Sequence, residues 1–140
     1  MGICTVRMLL ADDHPGFSEI VERLLKPYLL ELPFQVVGKV KNGRDLVEAA
    51  LKLQPDLIIT DISMPLLNGI EAVRKLKESG SRAKVVFLTV HSDPDFVCAC
   101  FAAGASGYVV KARMATDLSP AVREALAGGN FGSPTAERMN

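Results

Sequence analysis

Hydrophobic residues gather along this chain in five short, nearly continuous runs, at 6–11, 34–40, 57–60, 85–90 and 108–110. Val, Ile and Leu dominate the runs and polar residues seldom alternate with them. That is the pattern of strands buried on both faces, as in a parallel sheet held between two layers of helices. Between the runs the period changes. Leu46, Ala50 and Leu53 share one helical face with Val47 and Leu51 beside them, and Ile70, Val73 and Leu76 share another. Asn68 with Glu71 three residues on predicts a capping box that opens this third helix. Asp93-Pro94 starts a fourth helix and Gly104 stops it. Leu118, Val122, Ala125 and Leu126 line a fifth, with Pro120 in its first turn and Gly128-Gly129 at its end. The first helix starts near Pro15 and is broken at Pro27.

Strand and helix alternating five times imply a doubly wound α/β fold, and five strands fit the flavodoxin-like order 2-1-3-4-5 with five helices. The stretch 129–140 loses periodicity and is expected to be a linker or a frayed end. The 140 residues suit one domain, with 49% hydrophobic against 23% charged positions. Lys+Arg and Asp+Glu each number 16, so this chain carries no positive excess for gripping nucleic acid or an anionic membrane. No apolar run approaches the roughly 18 residues of a membrane span. The start lacks a basic-then-apolar leader, so a cytoplasmic location is expected. Cys4, Cys98 and Cys100 form an odd set without metal-ligand spacing, and reduced thiols are expected.

In an open parallel sheet, ligands bind beyond the carboxyl ends of the strands. Asp12-Asp13 follow the first run, Asp61 follows the third, Thr89 closes the fourth and Lys111 follows the fifth. Each alone is explained as a turn, a cap or a solvated side chain. At four strand ends in this strand order, they converge on one crevice. Two carboxylates about 4 Å apart repel by roughly 4 kcal/mol at an effective dielectric near 20, so the crevice needs a cation. Oxygen donors favour a hard ion, Mg2+ first. A carboxylate beside such an ion and an ammonium is a nucleophile suited to phosphoryl transfer.

The stretches L-L-A-D-D-H-P (9–15), L-I-I-T-D-I-S-M-P-L-L-N-G (57–69), V-V-F-L-T-V-H (85–91) and A-S-G-Y-V-V-K-A (105–112) resemble the receiver domain of two-component response regulators. The resemblance covers about residues 4–128. It implies that Asp61 accepts a phosphoryl group from a sensor histidine kinase. It further implies that Asp13 binds Mg2+ directly, that Asp12 acts mostly through water, and that Ser63 gives the metal its main-chain carbonyl. Thr89 would be the hydroxyl that moves to the phosphoryl group, Lys111 the ammonium that pairs with it, and Tyr108 the aromatic that swings inward when Thr89 moves. In the family the first helix, with Phe17, Ile20 and Val21, contacts the kinase. Such a protein catalyses only its own phosphotransfer and slow self-hydrolysis.

The D-H-P stretch, the lysine followed by Ala112 rather than proline, and A-G-G-N-F-G-S-P (127–134) are similar to the LuxR-type (NarL/FixJ) subfamily. There, a linker such as 129–140 leads to a helix-turn-helix domain, so DNA would be bound only through a domain this chain lacks. The resemblance also implies pairing of two copies on phosphorylation, on a face it leaves open. A stand-alone phosphoryl carrier is the alternative. A Mg2+ phosphohydrolase with an aspartyl nucleophile fits less well, because Ser63 stands where a second acid/base would be needed. A nucleotide- or flavin-binding module fits least, because Asp-Asp-His-Pro would repel phosphate. His14 is read as a helix-start residue and His91 as a rim residue near the site mouth. Cys98 and Cys100, two apart on a helix, should face different sides and serve packing.

Overall fold

The computed structural model describes residues 5–133. Six parallel strands, β1 (Val6–Ala11), β2 (Phe34–Val40), β3 (Leu57–Thr60), β4 (Lys84–Thr89), β5 (Gly107–Val110) and β6 (Phe131–Gly132), form one sheet in the order β2-β1-β3-β4-β5-β6. Five helices connect them: α1 (Phe17–Leu25), α2 (Gly43–Leu53), α3 (Gly69–Glu78), α4 (Pro94–Ala103) and α5 (Met114–Leu126). This is the flavodoxin-like arrangement, with one strand more than the five expected. The addition lies in the stretch read as linker: Phe131 and Gly132 pair with Gly107 and Tyr108 of β5. A two-residue strand with a glycine carries too little apolar signal to stand out in the chain.

Alternate strand residues feed two cores. Leu9, Ile58, Val85, Phe87 and Tyr108 pack beneath α2, α3 and α4 with Leu46, Ala50, Val73, Leu76 and Cys100. Met8, Leu10, Ile59, Val86, Leu88 and Val109 pack beneath α1 and α5 with Val21, Leu25, Leu118 and Val122. β3 and β5 are buried at every residue, as their unalternating sequences require.

Local chemistry sets the helix ends. Asn42, Asn68 and Asp93 each accept a backbone N–H from the first turn of α2, α3 and α4. The capping box at Asn68 is half made, because Glu71 turns outward to Arg74. α1 ends at Leu25 and Pro27 continues it as a 3-10 turn. α5 begins at Met114, so Pro120 lies inside the helix rather than in its first turn. Cys98 and Cys100 face different sides as their spacing predicts, but only Cys100 is buried in the core; Cys98 is exposed and does not serve packing, and burial raises the Cys100 thiol to about 12. Cys4 lies outside the described residues, as does the stretch from 134 onward. Among the described residues no helix is long and apolar enough to cross a membrane.

A carboxylate–lysine pocket at the strand ends

The pocket is built by extending the sheet past its strands. The amide of Asp12 donates to the Val40 carbonyl and that of Asp61 to the Ala11 carbonyl, which seats the two aspartates side by side. Gly69 closes the loop below: its amide donates to the Ile62 carbonyl at 2.7 Å, and a Cβ there would run into the Asp61 carbonyl. Only glycine permits that approach.

Asp12 and Asp61 are almost fully buried, 6% and 2% exposed. The Lys111 ammonium lies between them, 2.9 Å from Asp12 Oδ2 and 3.4 Å from Asp61 Oδ2, with the Phe17 ring 5.6 Å away. Asp61 Oδ1 accepts the Ile62 amide at 2.6 Å. Burial pushes the Asp12 carboxyl up, but hydrogen bonds from Lys111 and from the backbone and ring of His14 outweigh it and hold the group below its ordinary range. Burial likewise favours neutral Lys111, and the two carboxylates overcome it, raising the ammonium above its ordinary value. Two buried carboxylates against one ammonium leave the pocket net negative. Those oxygen donors fit a small divalent cation.

A second cluster adjoins it. Thr89 is fully buried and its Oγ1 accepts the His91 amide at a long 3.4 Å. The Tyr108 hydroxyl donates to the His91 carbonyl at 2.6 Å. The His91 ring shares a 2.9 Å hydrogen bond with Ser63 Oγ and lies against Phe96, centroids 4.5 Å apart. The loops leaving β3 and β4 are thereby joined above the pocket.

Residues 8–123 match the response regulator receiver domain. The chain belongs to that family. This receiver is 37% identical over 129 residues, 92% of its length, to the transcriptional regulatory protein DegU of Brevibacillus brevis, of which it covers 53%. It is 36% identical over 121 residues, 86% of its length, to the nitrate/nitrite response regulator protein NarL of Escherichia coli K12, of which it covers 55%. The receiver therefore spans about half the length of these curated relatives. The crystal structure of a LuxR-family two-component response regulator from Aurantimonas sp. SI85-9A1 matches with a TM-score of 0.84 at 29% identity, covering 97% of this chain and 94% of that one. These likenesses make it a LuxR-type (NarL/FixJ) receiver.

Of the site residues expected from the sequence, the receiver fold brings the Lys111 ammonium against both Asp12 and Asp61 and sets Thr89 and Tyr108 on the His91 backbone. Asp13 stands at the rim with its carboxylate 41% exposed, 3.5 Å from His14 Nδ1. Ser63 is exposed, with its hydroxyl on the His91 ring. Tyr108 is wholly buried, with its hydroxyl on the His91 carbonyl. His14 does more than precede a helix. Gly16 caps α1, while the His14 amide and ring both bond Asp12 Oδ1 at 2.8 Å. Its ring nitrogen lies within 4.8 Å of carboxylate oxygens of Asp12 and Asp61. An Asp two residues ahead of the amide it accepts is a turn signal readable in D-D-H.

Proposed function

We propose that this receiver accepts a phosphoryl group on Asp61 from a cytoplasmic sensor histidine kinase and passes its modified state to a DNA-binding output domain. The observation that carries the reading is the Lys111 ammonium held between two buried carboxylates at the strand ends. An Asp61 carboxylate oxygen attacks phosphorus, the phosphoramidate bond to the donor histidine breaks, and an acyl phosphate forms. Lys111 is within reach of the arriving phosphoryl oxygens and moves toward them from Asp12. Mg2+ held by Asp12, Asp13, Asp61 and the Ser63 carbonyl would offset charge on the phosphoryl oxygens during transfer.

The acyl phosphate carries about 1.5 to 2 negative charges where Asp61 carried one. The Thr89 hydroxyl, loosely used at 3.4 Å by the His91 amide, gains a charge-assisted partner in that state. Because Tyr108 is buried and bonded to the His91 carbonyl, the response runs through the His91 peptide. DegU is named a transcriptional regulatory protein, and the covered half of it corresponds to this receiver. That relationship supports transcriptional output from a further domain.

Incubation with acetyl phosphate and Mg2+ is expected to add one acid-labile phosphoryl group, read by intact mass. Asp61→Asn should remove it. A phosphoryl group retained in that variant contradicts the assignment.

A further inference from the structure

Beyond the pocket, the described residues hold a second buried polar cluster at the far edge of β5. Asp117, in the first turn of α5, is 4% exposed, and Ser133, directly after β6, is 1% exposed. The Ser133 hydroxyl donates to Asp117 Oδ2 at 2.7 Å and accepts the Val110 amide at 3.2 Å. The Ser133 amide donates to the Tyr108 carbonyl at 2.8 Å. Arg113 closes the cluster, with Nε 2.9 Å from Asp117 Oδ2 and Nη2 3.4 Å from Oδ1. Ser133 thus grips β5 at Tyr108 and Val110, the residue before Lys111, and Arg113 ends the 3-10 turn that Lys111 begins.

We propose that Ser133 and Asp117 form a latch tying the C-terminal strand to the end of β5, and that phosphorylation of Asp61 loosens it. The inference rests on the phosphoacceptor reading of Asp61 and extends it to where the chain leaves the domain.

Topology places the two clusters. In the order β3-β4-β5-β6, Asp61 and Thr89 lie on one side of β5 and the latch on the other. A phosphoryl group on Asp61 draws Lys111 off Asp12 and so repositions the 3-10 turn that Lys111 begins and the latch residue Arg113 ends. Thr89, turning to the same group, releases the His91 amide and shifts the peptide whose carbonyl holds Tyr108. Both changes displace the end of β5, where Tyr108 and Val110 bond Ser133. A buried hydroxyl–carboxylate pair tolerates little stretching before its polar atoms lose their partners, so the response is a shift between closed and open states. The coupling is reciprocal: what opens the latch also favours the phosphorylated arrangement.

The test uses the 140-residue chain with Mg2+ and beryllium fluoride as the phosphoryl analogue. Amide hydrogen exchange at Val110 and Ser133 is expected to speed up about fivefold on binding, at the lower end of ordinary coupling factors. By reciprocity, Ser133→Ala and Asp117→Asn should each bind beryllium fluoride about fivefold more tightly. Exchange at Val110 and Ser133 that stays constant or slows, while the Thr89 amide resonance shifts, overturns the latch and leaves the phosphoacceptor reading standing. A Thr89 resonance that does not respond in the wild type overturns both. Because the exchange measurement needs no variant, a substitution that fails to fold does not blunt it.

Discussion

Two carboxylate clusters flank the end of β5 and are made from the same ingredients in different proportions. In the pocket, Asp12 and Asp61 share one ammonium, which reaches them unequally at 2.9 and 3.4 Å. In the latch, a single carboxylate, Asp117, has a guanidinium on both oxygens and a serine hydroxyl besides. The latch is electrically closed: one negative charge, one positive, each oxygen partnered. The pocket is short by one positive charge, and two like charges about 4 Å apart repel by about 4 kcal/mol at an effective dielectric near 20 when left uncompensated. Charge deficit makes a place for an arriving cation and phosphoryl group, whereas charge balance makes a fastening. The comparison also explains why metal-ligand candidates gather at Asp12, His14 and Asp61.

The contrast breaks most visibly if each cation is removed in turn. Lys111→Met should slow labelling by acetyl phosphate about a hundredfold, the usual cost of losing one preorganised donor at a site of developing charge. Arg113→Met, which takes the corresponding charge from the latch, should leave labelling within about fivefold of wild type, the size of the coupling rather than of the chemistry. Initial rates by intact mass decide it. Equal losses in the two variants would mean that the clusters do not differ in kind.

How far each cluster could be read from the chain follows from how it is encoded. Val, Ile and Leu runs announce buried parallel strands, and polar residues set at their ends announce the pocket, because a strand end is where chain direction itself points a side chain into the crevice. Asp12, Asp61 and Lys111 are legible for that reason. The latch is not. Asp117 lies inside a helix whose start Pro120 obscures, and Ser133 follows a strand of two residues. Neither has a period or spacing that links them. The exposure of Asp13 and the bond from the Tyr108 hydroxyl to the His91 carbonyl escape the sequence as well, because residue type sets what a side chain can do and packing sets which way it turns.

A smaller effect belongs to the pocket at acid pH. Lys111 and His14 hold the Asp12 carboxyl below its ordinary value near 3.8, despite burial. A carboxyl with a lowered folded-state value favours folding when ionised. Its contribution is present above the unfolded-state value and is lost as pH falls through the lower, folded one. Urea unfolding with chelator present should therefore show wild type more stable than Asp12→Asn near neutrality, with the gap closing as pH falls below the ordinary value near 3.8. A gap that stays constant with pH would mean that Lys111 does not hold Asp12 ionised.

The smallest expected effect concerns backbone. Leu66, in the loop that leaves Asp61, has φ +70° and is 70% exposed. A branched side chain in the left-handed region costs about 1 to 2 kcal/mol, and at this exposure little apolar burial offsets the cost. The latch side carries no such residue: the other non-glycine with positive φ among the described residues is Gln54, at the end of α2. Strain of this kind collects where a loop is shaped for a site. Asparagine tolerates the same conformation, so Leu66→Asn should stabilise the fold by about 0.5 kcal/mol in thermal unfolding. Labelling of Asp61 should be unchanged if Leu66 merely bears the turn, and should slow if its conformation aims the Asp61 loop. A stability gain with unchanged labelling makes the charge deficit alone the mark of the pocket; a gain bought with slower labelling adds loop strain as a second difference between pocket and latch.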